Sequence, residues 1–183
     1  MSPMGHNITA FAMAATYMRT SHVPWGEGLS SLPTVITSGN AINVDHFAFV
    51  TLVALGMLLG ARGPDRLEIP SFNLRTQTRR SVIPHRTLTH WPLFWILLSG
   101  MCVWTWSESQ DLLLYLTTSV GLGFCAAGWL HLAMDIMTPA GIPLLSPFGS
   151  RTSLNLYKTS MKGSRLTGEW LCILLFVTGC QLF

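Results

Sequence analysis

The chain alternates between long apolar stretches and shorter polar connections. Five apolar segments cover residues 4 to 18, 46 to 61, 92 to 106, 112 to 136 and 169 to 183. Apolar runs of this length predict helices rather than strands. A full bilayer crossing takes about 20 apolar residues. The first, second and fifth segments are shorter, and we expect them to tilt, to insert partly or to extend into their polar flanks.

The third and fourth segments predict an antiparallel helical hairpin. Only residues 107 to 111 separate them, which leaves room for a turn and nothing longer. The start of the third helix and the end of the fourth then lie at the same end of the hairpin. We therefore expect His90 and His131 to be close to each other.

Composition narrows the class of protein. Charged residues make up 10% of the chain, hydrophobic residues 49%, and the mean hydropathy is +0.42, whereas ordinary soluble domains carry about 25% charged residues. We predict an all-α, polytopic membrane helix bundle with about four or five transmembrane helices, forming a single domain over residues 1–183. The four cysteines have no paired CxxC spacing and are interpreted as packing residues.

The basic residues predict the orientation in the membrane. If all five segments cross, the connections 62 to 91 and 137 to 168 share a side with the N-terminus and hold ten of the eleven Lys and Arg residues. The positive-inside rule makes that side cytoplasmic. We therefore predict a multi-pass membrane protein with these connections in the cytoplasm. The net charge of +3 is explained in the same way, so nucleic acid is not expected as a partner.

His131 and Asp135 are the strongest candidates for chemistry. Four residues turn through about 400° on a helix, so the two side chains share a face and can reach one cation. A carboxylate inside a membrane segment is costly and needs an explanation. Imidazole and carboxylate suit zinc, manganese or iron(II). The alternative is a histidine–aspartate hydrogen bond that packs two helices.

A second histidine pair stands before the third apolar segment, at His85 and His90. Five residues correspond to about 140° around a helix, so the two do not share one regular helical face. Pro92 predicts that a helix begins near His90, with Thr89 as its cap and His85 in the preceding loop. His90 is the better ligand candidate, and His85 is interpreted as an outer partner or a substrate contact. The alternative is two interfacial histidines without a role.

Asp65 and Glu68 follow the second apolar segment, between two prolines. Two carboxylates there suit one bridging metal ligand and one general base toward water. The alternative is a solvated loop in which the two carboxylates form ion pairs with arginines. Arg86 is a candidate phosphate-binding residue, because guanidinium groups bind phosphate bidentately; anchoring to anionic lipid is the alternative. His6, near the N-terminus, is the weakest candidate by itself. The topology nevertheless brings all these residues to the cytoplasmic helix ends.

Four separated motifs resemble a known bacterial family. They are Gly5-His6, Pro64-Asp65, His85-Arg86-x-x-Thr89-His90, and Gly128-x-x-His131-x-x-x-Asp135-x-x-Thr138-Pro139. In this order they resemble the LexA-binding, inner-membrane-associated family of metal-dependent hydrolases. More distantly, they resemble the zinc-dependent phospholipases C and the single-strand-specific zinc nucleases.

The resemblance implies a location in the bacterial inner membrane, a metal site and a hydrolytic reaction. It implies five metal ligands: His6, Asp65, His90, His131 and Asp135. The soluble zinc enzymes have a further histidine after the proline turn, where this chain has Ala140 and Gly141, so one or two divalent ions are expected, with zinc first and manganese or iron as alternatives.

Two hypotheses follow for the function. The first is a hydrolase of membrane lipid or small-molecule phosphoesters, in which Asp65 or Glu68 is the base and Arg86 holds the phosphate. The second is a non-catalytic scaffold or regulator-binding membrane protein with a structural metal. A protein partner in the membrane, or LexA, is suggested by the family name alone.

Overall fold

The computed structural model describes residues 2–21, 44–68, 70–73, 78–81, 86–108, 111–157 and 166–181. Each of the five apolar segments overlaps a helix. The six helices of the described residues are α1 (Pro3–Thr20), α2 (Val44–Gly60), α3 (Gly63–Arg66), α4 (Pro92–Glu108), α5 (Leu112–Ile136) and α6 (Leu166–Gln181). The all-α class is therefore confirmed, and the short α3 is an addition that hydropathy did not predict.

Local signals explain where the long helices begin. Ser2 caps α1 by accepting a hydrogen bond from the backbone N–H of Gly5 at 3.1 Å. Asp111 caps α5, because its Oδ1 accepts from the backbone N–H groups of Leu113 and Leu114 at 2.7 and 3.1 Å. Pro92 opens α4, where its missing N–H removes no helical hydrogen bond. These caps satisfy N–H groups that a helix start would otherwise leave unpaired.

Helices α2 and α5 pack backbone against backbone. A Cβ atom built on Gly56 would lie 2.0 Å from the carbonyl oxygen of Val120, and one built on Gly123 would lie 1.9 Å from that of Val53. Only glycine permits this close approach. Helices in a membrane often associate through such small residues, because the hydrophobic effect does not favour contact between helices over contact with lipid. The close contact brings the end of α2, and α3 after it, to the end of α5.

The other helices pack around this pair. α4 packs on α5, as the short connection predicts, and α1 packs on both α2 and α6. At the far end of α1, the Thr16 hydroxyl and the Arg19 guanidinium both donate to the carbonyl oxygen of Cys180, at 3.1 and 3.0 Å. These bonds satisfy a carbonyl in the last turn of α6, which its own helix leaves without a partner.

Two short antiparallel hairpins were not predicted. Strand β1 (Pro70–Asn73) pairs with β2 (Thr78–Ser81), and β3 (Ile142–Pro143) pairs with β4 (Arg151–Thr152). Both β1 and β3 contain a proline, which normally argues against a strand and is tolerated here because these are edge strands. The second hairpin folds the chain back onto the end of α5, where the backbone N–H of Leu154 donates to the carbonyl of Ile136 at 2.8 Å.

One helix of the described residues is long and apolar enough to cross a membrane. It is Leu112–Ile136, with a mean hydropathy of 1.5. Shorter apolar helices cover Phe47–Gly60 and Trp170–Cys180. The expected four or five crossings stay a prediction.

Candidate metal centre

His131 and Asp135 lie one turn apart at the end of α5, and both are buried, with 1% of each residue exposed. The Nδ1 atom of His131 is 3.1 Å from the carbonyl oxygen of Ala61. Since a carbonyl only accepts, Nδ1 carries the proton and the lone pair lies on Nε2. The buried Nε2 has no hydrogen-bond partner among the described residues. This is the orientation of a histidine that is prepared to bind a metal.

His90 is held against the same site by the turn that precedes α4. The indole N–H of Trp95 donates to the carbonyl of Thr89 at 2.7 Å and fixes the 3-10 turn Leu88–His90. His90 is fully buried. Its Nδ1 lies 3.1 Å from the hydroxyl of Thr89, and its Nε2 lies 3.5 Å from Oδ2 of Asp135.

Asp65 and His6 approach this group from α3 and α1. Asp65 Oδ1 lies 3.6 Å from Nε2 of His90 and 3.8 Å from Nε2 of His131. Its side chain is 28% exposed, which makes it the most accessible of the five predicted ligands. The His6 ring stacks on that of His131, and its Nε2 lies 3.6 Å from Oδ1 of Asp135. The structure therefore brings together all five residues that the resemblance implies.

Glu68 lies behind His90, on the side of its Nδ1. Oε1 of Glu68 is 3.5 Å from that nitrogen. The same oxygen accepts hydrogen bonds from the backbone N–H of Arg86 at 3.0 Å and from the hydroxyl of Thr89 at 3.4 Å. Glu68 thus lies beside Nδ1 of His90, whereas Asp135 lies beside Nε2 on the other side of the ring. A carboxylate in this position orients a histidine and raises its basicity.

Arg86 is bound within the cluster. Its Nη2 lies 3.1 Å from Oδ2 of Asp135, and its Nη1 donates to the hydroxyl of Thr138 and the carbonyl of Gly141 at 3.2 and 3.3 Å. The backbone of Arg86 has a φ of +58°, in a region that non-glycine residues rarely adopt. This backbone lets one residue bond Glu68 through its N–H and Asp135 through its guanidinium.

The prediction for His85 falls outside the described residues. Two groups of the site, the carbonyl of Ala61 and the indole of Trp95, were not predicted, because neither is a polar side chain within the motifs. The carbonyl of Ala61 could not be found from the sequence, because every residue carries one. Trp95 had a usable signal, since an indole N–H in an apolar helix needs a partner.

Fold and site together define an all-α protein with a buried histidine and carboxylate cluster where α1, α3, α5 and the turn before α4 meet. The chain belongs to the YdjM inner membrane protein family, whose family model matches residues 1–183. This match confirms the expected inner membrane location. The curated proteins contain no match to this chain. Neither do the solved structures.

Proposed function

We propose that this protein is a metal-dependent phosphoester hydrolase of the bacterial inner membrane. One observation carries the proposal. Nε2 of His90 and Nε2 of His131 each face the same two carboxylate oxygens, Oδ1 of Asp65 and Oδ2 of Asp135, at four distances between 3.5 and 3.8 Å.

These distances fit a shared cation better than hydrogen bonds. An N–H···O hydrogen bond has a donor–acceptor distance of about 2.7 to 3.2 Å. Two ligand atoms that each lie about 2.0 to 2.2 Å from a tetrahedral zinc ion are about 3.3 to 3.6 Å apart. The four observed distances lie close to the second range. His90, His131, Asp65 and Asp135 are therefore the ligands that we assign to a first ion.

Asp135 also offers an oxygen to a second ion. Its Oδ1 faces His6, while its Oδ2 faces His90 and His131. A carboxylate that uses both oxygens in this way can bridge two cations. This arrangement supports the expected count of one or two divalent ions, with zinc favoured by the nitrogen and oxygen ligands.

The accessible edge of the cluster supports catalysis rather than a closed structural site. A divalent ion at this cluster would polarise a phosphoryl oxygen and activate water for attack. Asp65 is the most exposed of the four ligands, at 28%, so a water molecule would reach the ion beside it as a further ligand. Asp65 is also the better placed of the two carboxylates to accept a proton. Glu68 instead keeps His90 in place through its contact with Nδ1. The Arg86 guanidinium is paired with Asp135; it can bind a phosphate oxygen if that pair exchanges.

The experiment combines metal analysis with a simple substrate. We expect purified protein in detergent to contain stoichiometric zinc, manganese or iron and to hydrolyse bis(4-nitrophenyl) phosphate. EDTA and the His131→Ala substitution should each abolish both properties. Protein that contains no transition metal, or a His131→Ala variant with unchanged metal content and hydrolysis, contradicts the proposal.

The burial of the cluster favours one alternative, a structural metal in a scaffold protein. His90 and Asp135 are both almost fully buried, and structural metal sites are closed. Stoichiometric metal without hydrolysis of any phosphoester, and without a ligand position open to cyanide or azide in a cobalt-substituted sample, supports this alternative.

The proposed site faces the cytoplasm. The charge distribution supports this orientation, because ten of the eleven basic residues lie in connections on the side of the cluster. Reporter fusions at residues 75 and 109 test it: residue 75 should report a cytoplasmic location and residue 109 a periplasmic one. The reverse pattern contradicts the orientation and leaves the metal chemistry untouched.

A further inference from the structure

A groove follows the line between α1 and α2, starting from the end that carries the cluster. It consists of two adjoining cavities of about 470 and 330 Å³, which share Phe11 and Leu58 in their linings. The second cavity is apolar apart from one hydroxyl. Its remaining lining residues are Ala14, Ala15 and Met18 of α1 and Thr51, Ala54 and Leu55 of α2.

The first cavity adjoins the candidate metal centre. Asn7 lines it and follows His6 in the chain, and Arg66 lines it and follows Asp65. The lining residue Ala61 also provides the carbonyl that holds His131. The groove therefore changes from charged and polar at the cluster to apolar farther along the helices, which is the polarity pattern of a lipid molecule.

The length of the groove matches one leaflet of a membrane. The α1 residues that line it extend from Asn7 to Met18. Eleven residues of helix rise by about 16 Å. Half of the hydrocarbon thickness of a bilayer is about 15 Å. An acyl chain lying in the groove would thus end near the bilayer midplane when its headgroup is at the level of the cluster.

We propose that the groove binds one acyl chain of an anionic membrane glycerophospholipid, whose phosphate lies beside Arg66 and the cluster. The charge of the polar end supports an anionic occupant, because Arg66 is an exposed cation at that end of the groove, and a guanidinium binds phosphate strongly. This inference rests on the proposed function and adds the substrate class: a lipid phosphoester that enters from the bilayer between α1 and α2.

The test uses a photoreactive lipid and does not require turnover. The full chain is reconstituted in nanodiscs that contain phosphatidylglycerol with a diazirine on one acyl chain, and the labelled peptides are mapped by mass spectrometry. We expect labelling to concentrate on α1 and α2. Ala15→Trp fills the groove at an exposed position and should reduce this labelling about tenfold. Leu97→Trp, on the exposed side of α4, is the matched control and should leave it unchanged.

A second groove variant guards against misfolding. Thr51→Trp occupies the opposite wall at another exposed position and should reproduce the loss. Labelling spread evenly over the exposed surfaces of α4 and α6, or labelling of α1 and α2 that neither tryptophan reduces, overturns the proposal. Absence of lipid adducts on α1 and α2, together with a dimer in nanodiscs that Ala15→Trp dissociates, also overturns it and identifies the groove as a helix-docking surface.

A third variant tests whether Arg66 recognises the charge of the headgroup. Arg66→Gln should reduce labelling by the phosphatidylglycerol probe about fivefold, the effect of about 1 kcal/mol per basic residue near an anionic lipid. Labelling by a diazirine diacylglycerol, which has no phosphate, should not change. Equal loss with both probes contradicts a phosphate at Arg66. Failure of the hydrolase proposal is visible separately in wild-type metal content and in hydrolysis of bis(4-nitrophenyl) phosphate, because the labelling measures binding alone.

Discussion

The imidazole rings of His6 and His131 stack face to face, with their centroids 3.7 Å apart and their planes inclined by 9°. His6 lies in α1, in the first of the four sequence motifs, and His131 lies in α5, in the last of them. The stack directs the two rings to different oxygens of one carboxylate: Nε2 of His6 lies 3.6 Å from Oδ1 of Asp135, and Nε2 of His131 lies 3.7 Å from its Oδ2.

Asp135 should be the residue on which metal binding depends most, because each of its oxygens faces a different set of histidines. We expect Asp135→Asn to weaken metal binding on the order of 10- to 100-fold, measured by competition with a chromophoric chelator. Asp111→Asn makes the same change at the exposed start of the same helix and should have no effect. Equal affinities for both variants contradict the assignment.

Glu68 should tune the metal affinity without being a ligand. Its carboxylate contacts Nδ1 of His90 and accepts from the N–H of Arg86. Outer partners of this kind typically contribute about 10- to 100-fold to metal affinity. We expect Glu68→Gln to lower the affinity by such a factor while the metal count at saturation stays constant. Glu108→Gln, at the exposed end of α4, is the control. A reduced metal count at saturation would identify Glu68 as a direct ligand.

Trp95 should stabilise the turn that carries His90, because its indole N–H is bonded to the carbonyl of Thr89. Trp95→Phe keeps most of the buried ring and removes the donor. We expect a loss of about 1 to 3 kcal/mol in the free energy of unfolding, measured by denaturant titration in detergent, together with weaker metal binding. Trp104→Phe on the exposed side of the same helix should change neither quantity. A Trp95→Phe variant as stable as wild type would show that the hydrogen bond is not needed.

Gly123 should be required for the contact between α2 and α5. Its Cβ would lie 1.9 Å from a backbone oxygen, which no side-chain movement relieves. We expect Gly123→Ala to lower the free energy of unfolding by at least about 1 to 3 kcal/mol. Gly100→Ala meets nothing within 4 Å and should be neutral or slightly stabilising, since alanine favours helix. The same denaturant titration compares the two variants. A Gly123→Ala variant as stable as wild type would show that α2 and α5 can move apart without a loss of stability, so that their close contact is not required.

Hydropathy located the helices well because burial in an apolar environment leaves a continuous pattern in the sequence. The predicted segment 112 to 136 coincides with α5, and the segment 92 to 106 begins with α4 at Pro92. The two hairpins were missed because β1 and β3 each contain a proline and because their strands are only four and two residues long. Hydropathy also gave no signal for Tyr157, in the connection 137 to 168, which is buried and donates to the carbonyl of Met134 at 2.9 Å.

The sequence by itself determined the helices and the His131 to Asp135 spacing, because hydropathy and helical periodicity act over a few neighbouring residues. The predicted cap Thr89 was wrong, because Thr89 lies inside the 3-10 turn Leu88–His90 and its hydroxyl contacts Glu68 and His90. Tertiary structure decided which atoms meet. The proton position on His131 depends on the carbonyl of Ala61, and the location of Glu68 behind His90 depends on the packing of α3 against the turn before α4. Such relationships arise only when distant helices approach closely, and no local pattern encodes the resulting distances.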